Sequence, residues 1–192
     1  MHTKTFFQAS FVVILLTSLL LSACGPGAPT GLPAVSGGAT ATSTTPDWFT
    51  IALIDVRTGI SFTINDFAGK VVLIESMAEW CINCIFQQGE TRKARQSLGN
   101  PEDLILISLD VDTQEDEASL KKYAENFSYD WRFAVAPLEV ARALGNLYSA
   151  NYLNPPLEPM LLIDRQGNVH QLPFGVKKAD TLQKTLEPYL AK

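Results

Sequence analysis

The run Lys70-Val71-Val72-Leu73-Ile74-Glu75-Ser76-Met77-Ala78-Glu79-Trp80-Cys81-Ile82-Asn83-Cys84 decides how this chain is read. Its first half is an unbroken apolar stretch, which suits a β-strand buried on both faces. Its second half sets two cysteines three residues apart, at the point where a helix should begin and run to about Leu98, stopped by Gly99-Asn100-Pro101. The helix start carries unpaired N–H groups and the positive end of the macrodipole, both of which favour a thiolate. The first cysteine of such a pair tends to be acidic, exposed and nucleophilic. Cys81 is therefore the candidate attacking thiol, and Cys84, one turn further in, the candidate resolving thiol. A structural zinc site would need four ligands, and no second cysteine pair exists. A pair of inert core cysteines is the other reading, which the flanking Trp80 opposes.

Outward from this segment the pattern alternates. Trp48 to Ile54 and Ile60 to Ile64 read as short strands around the turn Arg57-Thr58-Gly59. Leu104 to Leu109 is a second buried strand, and Glu115 to Phe127 is a helix with Leu120, Tyr123, Ala124 and Phe127 on one stripe. Arg132 to Val135 is a short strand and Pro137 to Tyr148 a helix with proline in its first turn. Met160 to Ile163 and Val169 to Leu172 flank a Gly-containing turn, and Lys177 to Leu190 closes the chain as an amphipathic helix. Strands alternating with helices give an α/β layer architecture.

The 192 residues carry a net charge of −5, with 46% hydrophobic and 18% charged residues. That is the composition of a globular chain with an adequate core. Its mildly acidic balance gives no footing for nucleic acid or for anionic lipid.

The N-terminus has its own organisation. Lys4 precedes an apolar stretch of 11 residues, Phe11 to Leu21, too short to span a bilayer as a helix. A basic start, a short apolar core and a small-residue ending make a secretory signal over residues 1–23, with an uncleaved anchor as the alternative. Residues 25–46 hold 16 Gly, Pro, Ser or Thr among 22 and no charge. Such a segment cannot bury enough apolar surface to fold, and as a coil it reaches about 25 Å. The expected organisation is a signal at 1–23, Cys24 plus a linker at 24–46, and one domain at 47–192.

Leu21-Ser22-Ala23-Cys24 resembles the bacterial lipobox, which implies cleavage before Cys24 and lipidation of its thiol. The segment Glu75 to Cys84 resembles the active-site stretch of thioredoxins. The wider layout is similar to envelope thioredoxins of the TlpA/ResA kind, through Gly69-Lys70, Ser108-Leu109-Asp110-Val111-Asp112 and Pro159 to Asn168. The resemblance implies a thioredoxin fold, a mixed sheet flanked by helices with an N-terminal β-hairpin extension. It implies a redox-active Cys81–Cys84 disulfide, Glu75 as the buried acid relaying a proton to the second cysteine, and Pro159 as the proline facing the disulfide. Trp80, Glu158 and Pro159 are the expected substrate-binding residues. Two positions depart from the family pattern: Ile82-Asn83 between the cysteines lacks proline, and Glu158 stands where small or apolar residues are usual. A carboxylate beside Cys81 would oppose thiolate formation.

The expected activity is thiol–disulfide exchange with exported proteins, more as a reductant, by a monomer in the cell envelope, lipid-anchored at the outer face of the cytoplasmic membrane or facing the periplasm. It would use no cofactor and no metal, and would draw electrons from a membrane thiol carrier. A thiol-based copper chaperone and a thiol peroxidase are the alternatives on the same fold. His170 reads as a surface residue.

Overall fold

The structure, a computed structural model, describes residues 45–191. The expected signal at 1–23, Cys24 and the linker up to residue 44 lie outside the described residues. Two short strands come first, β1 (Leu53–Asp55) and β2 (Ile60–Phe62), paired antiparallel as a hairpin. Gly59 turns it with φ of 72°, a left-handed conformation that glycine adopts without a Cβ penalty. The first strand begins later than expected, because Asp47–Thr50 winds into a 3₁₀ turn. Its hydrogen bonds run from Phe49 N–H to the Pro46 carbonyl and from the Thr50 hydroxyl to the Asp47 carbonyl.

The main sheet has five strands: β3 (Val71–Met77), β4 (Leu104–Asp110), β5 (Arg132–Val135), β6 (Met160–Ile163) and β7 (Val169–Gln171). They lie in the order β5-β4-β3-β6-β7. β3, β4 and β5 are parallel, whereas β6 pairs antiparallel with both β3 and β7, which makes the sheet mixed. Every residue of β3 and of β4 is buried, as their continuous apolar runs require of central strands covered on both faces.

Four helices cover it: α1 (Ile82–Ser97), α2 (Glu117–Asn126), α3 (Leu138–Leu147) and α4 (Ala179–Leu190). Alternation along β3 divides the core. Val71, Leu73 and Met77 face a layer that includes Cys84 and Ala94 of α1, Leu120, Tyr123 and Ala124 of α2, and Leu182 and Leu186 of α4. Val72 and Ile74 face Val140 and Leu144 of α3, and Trp48, Leu53 and Phe62 of the N-terminal extension. Each fully buried aliphatic side chain contributes about 1.5–3 kcal/mol, so truncating Leu73 to alanine would remove about 2–5 kcal/mol once the cavity is counted. Glu75, two residues beyond Leu73, is directed by the same alternation into the α1 side of the core.

Candidate active site

β3 delivers the chain to the edge of the sheet, and α1 starts there with Cys81 as its N-cap. Cys81 and Cys84 form a disulfide. The Cys84 backbone N–H donates to Cys81 Sγ at 3.2 Å, the bond that a thiolate at this position would use. α1 then runs to Ser97 and stops where expected, with Gly99 and Asn100 at positive φ.

Contrary to the expectation of an exposed attacking sulfur, Cys81 is 1% exposed and Cys84 is fully buried. The cover is the segment between α3 and β6, whose 3₁₀ turns Ala150–Leu153 and Pro155–Leu157 have no signature in the helix or strand patterns of the sequence. The Pro155 carbonyl lies 3.7 Å from Cys84 Sγ, and Glu158 Oε1 lies 3.7 Å from Cys81 Sγ. The Asn83 side chain donates to the Pro156 carbonyl at 3.1 Å, so one of the two residues between the cysteines fastens the cover.

Glu158 is fully buried and adopts φ of 53°, a left-handed conformation uncommon for a residue with a Cβ. Two contacts hold it there. Its N–H donates to the Pro155 carbonyl at 2.8 Å, and its carbonyl accepts from Lys177 Nζ. The same ammonium donates to the Gly175 carbonyl at 2.9 Å. Burial pushes the Glu158 carboxyl up to about 7, partly offset by Lys177. Burial also pushes Lys177 down to about 8, against the pull of Glu158 and Glu75. Glu158 Oε2 is buried without a hydrogen-bond partner among the described residues. Pro159 directly precedes β6, and its carbonyl accepts from Ser76 N–H at 3.0 Å, which joins the cover to β3.

Glu75 is buried opposite Ser108 in the β3–β4 register. The Ser108 hydroxyl donates to its Oε2 at 3.5 Å and accepts from Trp131 Nε1 at 3.0 Å. Burial first, then the Glu158 charge, holds its carboxyl well above the usual range, with Lys177 and Ser108 acting in the opposite sense. A cavity of about 10 Å³ beside it, lined by Leu73, Ser108, Trp131 and Met160 among others, has the size that admits one water.

Trp80 is 60% exposed and its indole N–H donates to Asp112 Oδ2 at 2.6 Å. Ile82 and Phe86, one turn apart on α1, are also exposed. His170 is part-exposed on β7 and pairs with Asp164 at 2.9 Å, away from the sulfurs in sequence and bonding.

Three further participants, Gln87, Gln88 and Lys177, carry little or no signal in the sequence. Gln87 exchanges two hydrogen bonds with the Lys177 backbone, at 2.6 and 3.1 Å, and so fixes the segment that carries the buried ammonium. Gln88 accepts from the Tyr123 hydroxyl at 2.6 Å. Both glutamines lie three and four residues beyond Cys84, on the helix face that enters the core, and polar residues at that spacing were the available signal. Lys177 had none, since a lysine at a helix start normally stays in water. Reduction would free two thiolates within 4.8 Å of the Glu158 carboxylate, a set able to hold a soft or borderline metal ion. In the disulfide those sulfurs are bonded to each other.

No protein-family model and no curated protein matches the chain. Solved structures do. A thiol:disulfide interchange protein of the thioredoxin family from Chlorobium tepidum TLS superposes with a TM-score of 0.62 at 17% identity, over 73% of this chain and 93% of that one. The thioredoxin domain of a thiol-disulfide oxidoreductase from Bacteroides vulgatus gives 0.58 at 21%, over 77% and 98%. An exposed lipoprotein thioredoxin from Streptococcus pneumoniae gives 0.54 at 20%, over 72% and 98%. The chain has the thioredoxin fold with an N-terminal hairpin, as the sequence led us to expect.

Proposed function

We propose that this protein is a membrane-tethered thiol–disulfide oxidoreductase that reduces disulfides in exported proteins. The observation that carries the exchange chemistry is the Cys81–Cys84 disulfide at the N-terminus of α1, with the Cys84 N–H directed at Cys81 Sγ. In the reduced protein Cys81 thiolate attacks a substrate disulfide, forming a mixed disulfide and releasing one substrate sulfur, which takes up a proton. Cys84 then loses its proton, with Glu75 as the acceptor, and attacks Cys81 Sγ. The substrate departs with its second sulfur reduced, and the Cys81–Cys84 disulfide is restored. Two electrons from a membrane thiol carrier complete the cycle. Because the cover residues shield both sulfurs, attack requires Glu158 to swing away from Cys81; the exposed Trp80 is the docking residue beside that opening, and the buried Pro159 is uncovered only when it opens.

Glu158 supports the reducing direction. A dithiol is a strong oxidant when its reduced form is stabilised by a low thiol pKa. A carboxylate 3.7 Å from the attacking sulfur acts in the opposite sense. The anchor rests on Cys24 at the end of the signal segment, and one structural neighbour is itself described as a lipoprotein thioredoxin. Two experiments test the reading. Redox titration against glutathione should place the Cys81–Cys84 couple near −270 mV, the region of reducing thioredoxins at about that value, whereas about −120 mV would make the protein an oxidant. Cys24→Ala should move the protein from the membrane to the soluble fraction, and continued membrane association would remove the lipid anchor from the proposal.

A further inference from the structure

Apart from the sulfurs, three carboxylates meet at the carboxyl ends of β3 and β4. Glu79 follows β3 by two residues, Asp110 ends β4, and Glu115 lies in the loop before α2. One oxygen from each lies within 4.8 Å of the other two. Asp110 is fully buried. Its Oδ1 accepts from the Asp112 N–H at 2.9 Å, but its Oδ2 is buried without a donor among the described residues, and the side chain the carboxyl meets is the Glu115 carboxyl. Glu79 is half-buried and its carboxyl bonds the Ser119 hydroxyl, while its Oε1 is buried without a donor among the described residues. The Glu79 N–H is already taken by Glu115 Oε2 at 2.7 Å.

A buried carboxylate oxygen without a donor is held by a proton or by a cation. The neighbouring acids are otherwise engaged, since Asp112 holds Trp80 and Asp116 caps α2. The donor set consists of carboxylates alone, with no sulfur or imidazole to draw zinc or copper, which selects hard cations. Calcium bonds oxygen at about 2.3–2.6 Å, so two oxygens on opposite sides of one ion stand about 5 Å apart. The separations within this cluster fit inside that limit.

We propose that Glu79, Asp110 and Glu115 bind a hard divalent cation of the calcium class beside the redox centre. Asp110 supplies the buried ligand and the two glutamates close over it from loops. The ion would tie together the loop after β3 and the loop after β4. The first of these carries Trp80 and Cys81 and the second carries Asp112, so the site sits where it can fix the docking tryptophan.

Calorimetric titration of the oxidised full chain with CaCl₂ at neutral pH and physiological ionic strength tests this, with MgCl₂ in a parallel run. The expected result is saturable binding of one Ca²⁺ or Mg²⁺ per chain, with a dissociation constant of about 1 mM or tighter for Ca²⁺. Asp110→Asn and Glu115→Gln should each weaken binding at least about tenfold, while Asp116→Asn, which keeps the helix cap, should leave it unchanged. Glu115 is only part-buried, so its variant keeps the test readable if Asp110→Asn fails to fold. Absence of saturable binding by either ion up to about 10 mM would overturn the proposal and leave a shared proton as the holder of the cluster. Binding that survives both ligand substitutions would overturn it equally.

Discussion

Replacing Glu158 with glutamine removes a carboxylate 3.7 Å from Cys81 Sγ while keeping the side chain's shape. At that distance, and at the effective dielectric of about 20 that describes such sites, two negative charges repel by about 4 kcal/mol. Converted at 1.36 kcal/mol per unit, this is about 3 pKa units on the thiol when Glu158 is ionised throughout. Glu158 itself titrates near 7, so the carboxyl and the thiol share their protons and the full effect is not realised. The expected fall in the Cys81 pKa of the reduced E158Q protein is about 1 to 3 units. The pH dependence of thiolate absorbance, or of alkylation by iodoacetamide, reads it directly. For each unit that the thiol pKa drops below the working pH, the couple becomes more oxidising by about 30 mV. A thiolate titration unchanged by E158Q would mean that the carboxylate does not act on Cys81, and a rise in the thiol pKa would reverse the sign of its effect.

Glu75→Gln should leave the alkylation rate of Cys81 near the parental value but slow release of the mixed disulfide by about 10²-fold or more, because the acceptor for the Cys84 proton is gone; rapid-quench analysis of the mixed disulfide separates the two steps. Lys177→Met removes charge-assisted bonds to the carbonyls of Glu158 and Gly175, each worth about 1.5–3 kcal/mol, so urea unfolding should show a loss of that order and Glu158 should titrate higher still. The oxidised protein should lose stability as pH rises from about 4.5 to 7, by at most about 3 kcal/mol through Glu158, because the folded state keeps a proton on that carboxyl that the unfolded chain has released. Denaturant unfolding across that range should show the decline, and E158Q should remove the share that belongs to Glu158.

The fold was legible where local pattern and burial agree. The apolar run after Gly69 became the central strand β3, Arg132–Val135 and Met160–Ile163 became strands with those same ends, and Gly99-Asn100 ended α1. Glu75 could be singled out because a carboxylate inside such a run has nowhere to go but the core, and its partner Ser108 follows from the parallel register with β4. The cover over the sulfurs was not legible. It is built of 3₁₀ turns in a stretch where Asn154, Pro155 and Pro156 break any helical or strand period, so nothing local announced that it would fold back over Cys81. Burial of Lys177 was hidden for a related reason. Its site is made by two backbone carbonyls, from Glu158 and Gly175, that only the tertiary fold brings together, and backbone carbonyls carry no sequence signal. The departure at Glu158 could be seen in the sequence, but its left-handed backbone and full burial could not.

Cys81 as the attacking sulfur is the step on which the exchange cycle turns. Reduced Cys84→Ser and Cys81→Ser proteins, each mixed with a peptide containing a single disulfide and resolved by mass spectrometry without reductant, decide it. Cys84→Ser should accumulate a mixed disulfide on Cys81 and Cys81→Ser should trap none. Trapping through Cys84 alone, or through neither sulfur, would contradict the account.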